Sequence, residues 1–359
     1  MSAAKPFLRN GLGALVFSAI FSGNSANVPA SEKLTNRLLS FRYEVDVQPI
    51  PSGMGPVDIF VPLAQSDSHQ KIISRKVKAT ISGHEKTEKA YGNLFWHGHL
   101  KMSDGEPIHI QVDYLVDRRV FDAQKQMGPD KLSADEQAQL RKHLRANARV
   151  PVNTPIIDKI RKDLPPFQDN SDLAKARSIY DYVIDNMEYK KVGRGWGNGD
   201  TYWACSKKYG NCTDFHALFI SLARAEGIPA RFEIGFPIPE ERKTGVIDGY
   251  HCWVTLYLPT KGWFPIDASE AKKYPERKEL YFGTHPANLI LFTRGRDLTL
   301  GTDHKSSPLN YFIYPHVEVG GKPYKKTTVH FSYSDEKETV ESPHKKSQGN
   351  FELTKAENR

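Results

Sequence analysis

The fold is predicted mainly from one short run of residues around the second of three cysteines. It reads Gly210-Asn211-Cys212-Thr213-Asp214-Phe215-His216-Ala217-Leu218-Phe219 and continues, after two residues, as Leu222-Ala223-Arg224-Ala225-Glu226-Gly227-Ile228-Pro229-Ala230-Arg231. Apolar residues recur at helical spacing, which predicts a helix over about 212–226 with one buried face. Cys212 stands at the start of this helix, where the helix dipole and free backbone N–H groups stabilise a thiolate. We therefore expect Cys212 to be a nucleophile, although a buried structural thiol is the commoner role of a lone cysteine.

Two later segments offer the groups that a nucleophilic thiol needs. His251 lies near the start of the β-rich run Tyr250-His251-Cys252-Trp253-Val254. Asp267 ends the run Gly262-Trp263-Phe264-Pro265-Ile266-Asp267. If the two runs pair as antiparallel strands, Asp267 lies beside the Nδ1–H of His251 and fixes its tautomer. The chain order of Cys212, His251 and Asp267 then predicts a nucleophile, a base and a residue that orients the base. A satisfied core histidine and a turn aspartate are the structural alternatives.

These three segments, in this chain order, resemble the core motif of the transglutaminase-like superfamily. The resemblance implies an α+β fold with a papain-like, transglutaminase-type core, in which helices pack on an antiparallel sheet. It also implies a Cys-His-Asp triad at Cys212, His251 and Asp267. The family uses a side chain upstream of the cysteine as the second oxyanion donor. Here Trp203 and Tyr202 are the candidates, because indole N–H and phenol O–H groups both donate; aromatic side chains packed under a loop are the alternative.

The implied chemistry is acyl transfer through a thioacyl intermediate on Cys212. Water is the default acceptor, so we expect a hydrolase that acts on peptide or other amide bonds, a protease or amidase. The alternatives are a protein-glutamine transamidase and a non-catalytic binding or structural module that retains the triad. The expected partner is a protein, peptide or cell-wall amide substrate.

Strand-like alternation precedes this core. Short alternating runs predict a small antiparallel β-sandwich domain over 36–122. The catalytic core is expected over 123–300 and a C-terminal β segment over 301–334. Residues 335–359 are charged and lack periodicity, which predicts a disordered tail.

The N-terminus has the pattern of an export signal. Lys5 and Arg9 precede an apolar run from Gly11 to Phe21, and small residues follow. This pattern predicts a signal peptide over 1–30 and an exported, periplasmic or extracellular protein. The apolar run is shorter than the about 20 residues that span a bilayer, so we expect no stable membrane anchor. An uncleaved anchor or a frayed apolar tail is the alternative.

Composition narrows the class of protein. The 359 residues include 50 Lys and Arg against 42 Asp and Glu, a net charge of +8 that is not concentrated in any stretch. A diffuse charge argues against a nucleic-acid partner. Three cysteines are too few for a disulfide scaffold. In an oxidising compartment Cys205 and Cys252 could pair and leave Cys212 free; the sequence leaves this open.

Two weaker motifs bear on metal and cofactor binding. His97-Gly98-His99 places two imidazoles on one face of a strand, and His109 could lie nearby. The sequence shows no carboxylate or cysteine that completes a zinc site and no calcium loop, so we expect no metal and no cofactor. The glycine-rich run 193–199 lacks the ending of a phosphate loop, and we expect it to form a rim of the cleft around Trp196.

Overall fold

A computed structural model describes residues 35–129 and 131–336. The signal peptide predicted over 1–30 and most of the tail predicted over 335–359 lie outside the described residues. Within the described ranges, no helix has the length and hydropathy needed to cross a membrane.

The described chain alternates from strands to helices and back to strands. The strands are β1 (Arg37–Val47), β2 (Val57–Pro62), β3 (Gln70–Ala79), β4 (Gly83–Thr87), β5 (Leu94–Leu100), β6 (Ile108–Arg118), β7 (Phe121–Asp122), β8 (Glu188–Tyr189), β9 (Tyr209–Gly210), β10 (Ala230–Pro237), β11 (Thr244–Val246), β12 (His251–Leu258), β13 (Gly262–Ile266), β14 (Thr284–His285), β15 (Leu289–Arg294), β16 (His316–Val319), β17 (Lys322–Pro323) and β18 (Thr327–Asp335). The helices are α1 (Ala134–Arg141), α2 (Pro155–Asp163), α3 (Asp172–Asn186), α4 (Thr201–Lys207), α5 (Cys212–Ala225) and α6 (Ala268–Lys273), with 3₁₀ turns at Lys142–Leu144 and Pro275–Arg277.

The first sheet has the strand order β11-β18-β1-β6-β3. Buried and more exposed residues alternate along β1 and β6, as expected for a sheet with one face in the core. Phe41 in β1 is opposite Tyr114 in β6 and Tyr333 in β18. Strands from both ends of the described chain therefore meet in one sheet.

The second sheet has the order β17-β16-β2-β5-β4. All six residues of β2 are buried, because both faces of this strand are covered. Ile59 belongs to the main core, whereas Phe60 packs in a separate cluster with Phe95, Leu298 and Phe312. A strand covered on both sides reads as a continuous apolar run in the sequence.

The third sheet, β13-β12-β10-β15, positions the site. Helix α5 contacts both β10 and β12 and is buried along nearly its whole length. The central helix packed on an antiparallel sheet confirms the predicted α+β class. Because α5 begins at Cys212, the packing of this helix fixes the position of the thiol.

One boundary differs from the sequence expectation. From sequence, the disordered tail begins at 335, but Asp335 is the last residue of β18 and pairs with Leu39. The Arg37 guanidinium donates to the Asp335 carboxylate at 2.8 Å, which explains why this charged residue extends the strand. The domain boundaries at 122 and 300 stay predictions.

Candidate active site

The N-terminus of α5 is built by a polar cap. The side-chain oxygen of Asn211 accepts the backbone N–H of Thr213 at 3.1 Å, and Asp214 accepts the backbone N–H of Asn211 at 3.1 Å. These reciprocal bonds satisfy free N–H groups of the first turn and define where the helix begins. Cys212 is therefore the first helical residue, and it is only 3% exposed.

His251 and Asp267 meet because their strands pair. β12 and β13 are antiparallel, with Val254 opposite Ile266, so the start of β12 lies beside the end of β13. His251 Nε2 and Asp267 Oδ2 are 2.5 Å apart, and both side chains are buried. The predicted neighbourhood of these two residues is thus present in the structure.

The contacting ring nitrogen differs from the sequence expectation. Nε2 of His251, not Nδ1, faces Asp267. The ring therefore directs its other nitrogen, Nδ1, to the Cys212 thiol, with which His251 shares a hydrogen bond. Side-chain torsions decide which nitrogen points where, and strand pairing alone does not fix them.

The charges of these three groups depend on one another. Burial opposes a charged Cys212, but hydrogen bonds from Cys252 and His251 and the charge of His251 outweigh it, so the pKa of this thiol lies well below its ordinary value. Burial also opposes a charged His251, but the Asp267 carboxylate holds the pKa of the imidazole well above its usual range. The pKa of Asp267 is lowered in turn, because the charge of His251 overcomes the effect of burial. The arrangement favours a thiolate–imidazolium pair.

A second histidine, which sequence reasoning missed, completes the cluster. His216 lies four residues after Cys212 on α5 and is fully buried. Its Nδ1 is 3.5 Å from the Cys252 sulfur and its Nε2 is 3.5 Å from Asp267 Oδ1. Spacing of four residues places two side chains on the same helix face, and this signal could have identified His216 from sequence.

The three cysteines are all free. The disulfide between Cys205 and Cys252 that the sequence leaves open is absent, because the two thiols have different neighbours. Cys205 lines a cavity of about 220 Å³ beside α2 and α3, whereas Cys252 shares a hydrogen bond with Cys212. Cys252 therefore lies within the thiol site.

The glycine-rich run 193–199 is tied to the first turn of α5. Asp214 accepts the backbone N–H of Gly197 at 2.7 Å and that of Gly199 at 3.0 Å. Both glycines have positive φ, which lets their N–H groups converge on one carboxylate. The same buried side chain thus caps the helix and holds the loop beside Cys212.

The contacts of the two predicted oxyanion donors do not support that role. The indole N–H of Trp203 donates to the Tyr209 carbonyl at 3.0 Å, and the Tyr202 side chain is 48% exposed. Tyr250 is another candidate, because burial and then the charge of Cys212 raise the pKa of its hydroxyl. Its oxygen also accepts from the side-chain amide of Asn211 at 3.2 Å.

His251, Asp267 and Glu270 lie close enough to share a metal ion. Each already has a protein partner, however. His251 and Asp267 bond to each other, and Glu270 forms an ion pair with Lys273. These contacts satisfy the three side chains by hydrogen bonds and ion pairs.

Comparison with known proteins identifies similar chains. Residues 166–268 match the family model of the transglutaminase-like superfamily. An uncharacterised protein of Haemophilus influenzae is 26% identical over 354 residues, which cover 86% of this chain and 94% of that protein. The uncharacterised protein YebA of Bacillus subtilis is 30% identical over 77 residues, 19% of this chain and 10% of its own length.

A solved structure shows the same fold. A candidate cysteine protease from Cytophaga hutchinsonii superposes with a TM-score of 0.56 at 16% identity, covering 85% of this chain and 100% of its own. Cys212, His251 and Asp267 all fall within the range matched by the family model. The similarity to the transglutaminase-like superfamily thus rests on residues 166–268, the part of the chain that contains the thiol site.

Proposed function

We propose that this protein is a cysteine hydrolase that cleaves peptide or other amide bonds with a triad of Cys212, His251 and Asp267. One observation carries the proposal: a buried thiol at a helix N-terminus shares a hydrogen bond with an imidazole that a carboxylate holds at 2.5 Å. A nucleophile, a base and an orienting group in hydrogen-bond contact are the arrangement that covalent acyl transfer requires.

The proposed reaction has two steps. The Cys212 thiolate attacks the amide carbonyl, and the His251 imidazolium gives its proton to the leaving amine, which departs as a thioester forms on Cys212. In the second step the neutral imidazole takes a proton from water, and the resulting hydroxide attacks the thioester. The carboxylic acid leaves, and the thiolate–imidazolium pair is restored. Asp267 keeps its charge throughout and stabilises the imidazolium.

Two donors are proposed for the oxyanion. The backbone N–H of Cys212 is one, because the first N–H groups of a helix have no partner within the helix. The hydroxyl of Tyr250 is the second, since it lies near enough for the charge of Cys212 to raise its pKa, after burial as the larger cause. In the free site this hydroxyl shares a hydrogen bond with Tyr311, and we propose that it turns to the oxyanion when substrate binds.

The substrate class and the compartment belong to the same proposal. We propose a protein, peptide or cell-wall amide as substrate, and export to the periplasm or the extracellular space. The signal-like pattern over 1–30 supports export. Determining the N-terminal residue of the mature protein from the expressing cell tests this: a start near residue 30 is expected, and an intact Met1 would contradict it.

Product analysis tests the activity. Peptides, glutamine donors with an added amine, and cell-wall fragments are offered to the wild type and to Cys212→Ala, and the products are identified by mass spectrometry. Cys205→Ala is the matched control, because Cys205 is a thiol outside the cluster. We expect hydrolysed amides from the wild type and from Cys205→Ala, and none from Cys212→Ala.

Other outcomes separate the alternatives. Amine-linked products would establish a transamidase and contradict hydrolysis as the main reaction. Binding of a substrate without any product, unchanged in Cys212→Ala, would indicate a binding module and refute the proposal.

A further inference from the structure

A cluster of histidines lies on one face of the second sheet, the face that carries Asp58 and Phe60 of β2. Residues directly opposite each other on paired strands share a face. Asp58 is opposite both His99 and Glu318, and Phe60 is opposite both His97 and His316. His84 on the edge strand is opposite His97. Four of the 13 histidines of the chain therefore share one face of one sheet.

One carboxylate connects two of these histidines. Asp58 Oδ1 is 2.9 Å from His97 Nε2 and 2.8 Å from His99 Nδ1. Asp58 and His97 are buried, whereas the His99 side chain is 48% exposed. Two imidazole nitrogens and a carboxylate oxygen thus converge at a point that is anchored in the sheet and open to solvent on one side.

A buried nitrogen of His97 lacks a hydrogen-bond partner. If Nε2 donates its proton to Asp58, the buried Nδ1 atom has no bonding partner, and the nearest carboxylate oxygen, Asp303 Oδ2, is 3.9 Å away. A ligand that takes the lone pair of Nε2 would place the proton on Nδ1, where Asp303 can accept it. Histidines that bind metals commonly donate their other ring N–H to a carboxylate in this way.

The neighbouring cluster of His304, His316 and Glu318 does not have this property. His304 Nδ1 accepts the backbone N–H of Leu300 at 3.1 Å, so its proton is on Nε2, the atom that faces Glu318. Glu318 is itself satisfied by the backbone N–H groups of Lys305 and Ser306, each at 2.9 Å. This cluster is closed by hydrogen bonds, and it leaves no lone pair of His304 free for a metal.

We propose that Asp58, His97 and His99 bind a divalent metal ion of the zinc class. The donor set of two imidazoles and one carboxylate, with one position left for water, is typical of zinc sites that keep an open coordination position. Donor atoms of a tetrahedral zinc site lie about 3.3 Å apart, so the present contacts need to open by only about 0.5 Å. The ring of His84 on the edge strand is 5.8 Å from that of His97.

The proposed site revises the expectation drawn from sequence. His97 and His99 do share a face, but the third group is Asp58 from the paired strand β2, not His109. His109 lies in β6 of the first sheet, where its Nδ1 contacts Asp46 at 2.8 Å. His109 therefore offers a matched control: an exposed histidine bonded to one carboxylate at the same distance, without the buried second imidazole.

Titration with Zn²⁺ tests the proposal. The full chain carrying Cys212→Ser, which removes the reactive thiol, is freed of metal with a chelator and titrated by calorimetry. We expect one Zn²⁺ per chain, and an affinity at least about tenfold weaker after His99→Ala but unchanged after His109→Ala. X-ray absorption of the bound zinc should show imidazole and oxygen ligands and no sulfur.

Several results would overturn the site. They are the lack of stoichiometric binding, an affinity that His99→Ala leaves unchanged, and sulfur in the zinc shell. A loss of binding after His316→Ala but not after His99→Ala would place the ion in the neighbouring cluster. Because His99 is exposed and its backbone is in a paired strand, His99→Ala should keep the thermal melting temperature of the metal-free protein, which separates loss of binding from loss of fold.

Discussion

Replacing Asp267 with asparagine removes a charge while keeping the size of the side chain. Asp267 Oδ2 contacts His251, and Oδ1 accepts the Ser269 hydroxyl and the Glu270 backbone N–H, both at 2.9 Å. An asparagine that keeps this helix cap must turn its NH₂ group towards Nε2 of His251. That contact favours the proton on Nδ1, which faces Cys212, so the imidazole can no longer accept the proton of the thiol.

The size of the effect follows from the charge separation. Unit charges about 4 Å apart attract by about 4 kcal/mol at an effective dielectric constant of about 20, and this attraction raises the pKa of His251. The carboxylate also repels the thiolate, over a longer distance because the imidazole lies between them. Without the ion pair the thiol should behave as an ordinary cysteine, which with a pKa of about 8.5 is only about 3% ionised at pH 7, so we expect about 30-fold less thiolate.

Alkylation of Cys212 by iodoacetamide, followed by mass spectrometry across pH, measures this change. In the wild type the pKa of Cys212 is lowered and that of His251 is raised, so the ion pair spans neutral pH and the rate should be flat there. The rate should fall only at acidic pH, where the thiolate gains a proton. In Asp267→Asn we expect a rate about 30-fold lower near neutrality that increases with pH, as for an ordinary thiol.

A second helix-capping aspartate provides the control. Asp200 caps α4 by accepting the backbone N–H of Tyr202 at 2.8 Å, so Asp200→Asn should leave the alkylation profile unchanged. A flat profile in Asp267→Asn, with a rate within about twofold of the wild type, would show that Asp267 does not hold the imidazolium.

Three further changes are expected to have distinct effects. Cys252→Ala removes a hydrogen bond that helps to lower the pKa of Cys212, so the acidic fall in alkylation rate should move to higher pH; an unchanged profile would contradict the contact. Tyr250→Phe should lower kcat on the order of 100-fold, while Tyr202→Phe leaves it unchanged; equal effects in steady-state kinetics would reject Tyr250 as the oxyanion donor. Arg224→Ala should lower the free energy of unfolding by about 3 kcal/mol, because the buried guanidinium bonds oxygen atoms of Arg145, Asn147 and Ala230; denaturant unfolding that differs by less than about 1 kcal/mol would show that these bonds contribute little.

Much of the site was predictable because local patterns encode it. Cys212 lies at the start of an amphipathic helix, and this position depends only on neighbouring residues such as Asn211 and Asp214. His251 begins β12 and Asp267 directly follows β13; these strands are adjacent along the chain, and antiparallel pairing of such strands is common. The α+β class follows from the same local signals.

Other features depend on geometry that the chain order does not encode. The nitrogen of His251 that faces Asp267 is set by side-chain torsions, and the contact of Cys252 with Cys212 is set by how β12 packs on α5. The contact between Asp58 and His97 cannot be predicted from the sequence, because it depends on the register of two strands that are distant in sequence. A shift of one residue in that register would move Asp58 to the other face of the sheet.

Ultraviolet absorbance of the thiolate tests most directly whether Cys212 and His251 form an ion pair. Spectra of the wild type, Cys212→Ser and Cys205→Ser are compared at about pH 6, where an ordinary cysteine is protonated. We predict that the wild type and Cys205→Ser each absorb as one thiolate per chain, and that Cys212→Ser lacks this absorbance. Equal spectra for the wild type and Cys212→Ser up to about pH 8 would contradict an activated Cys212 and, with it, the proposed hydrolase.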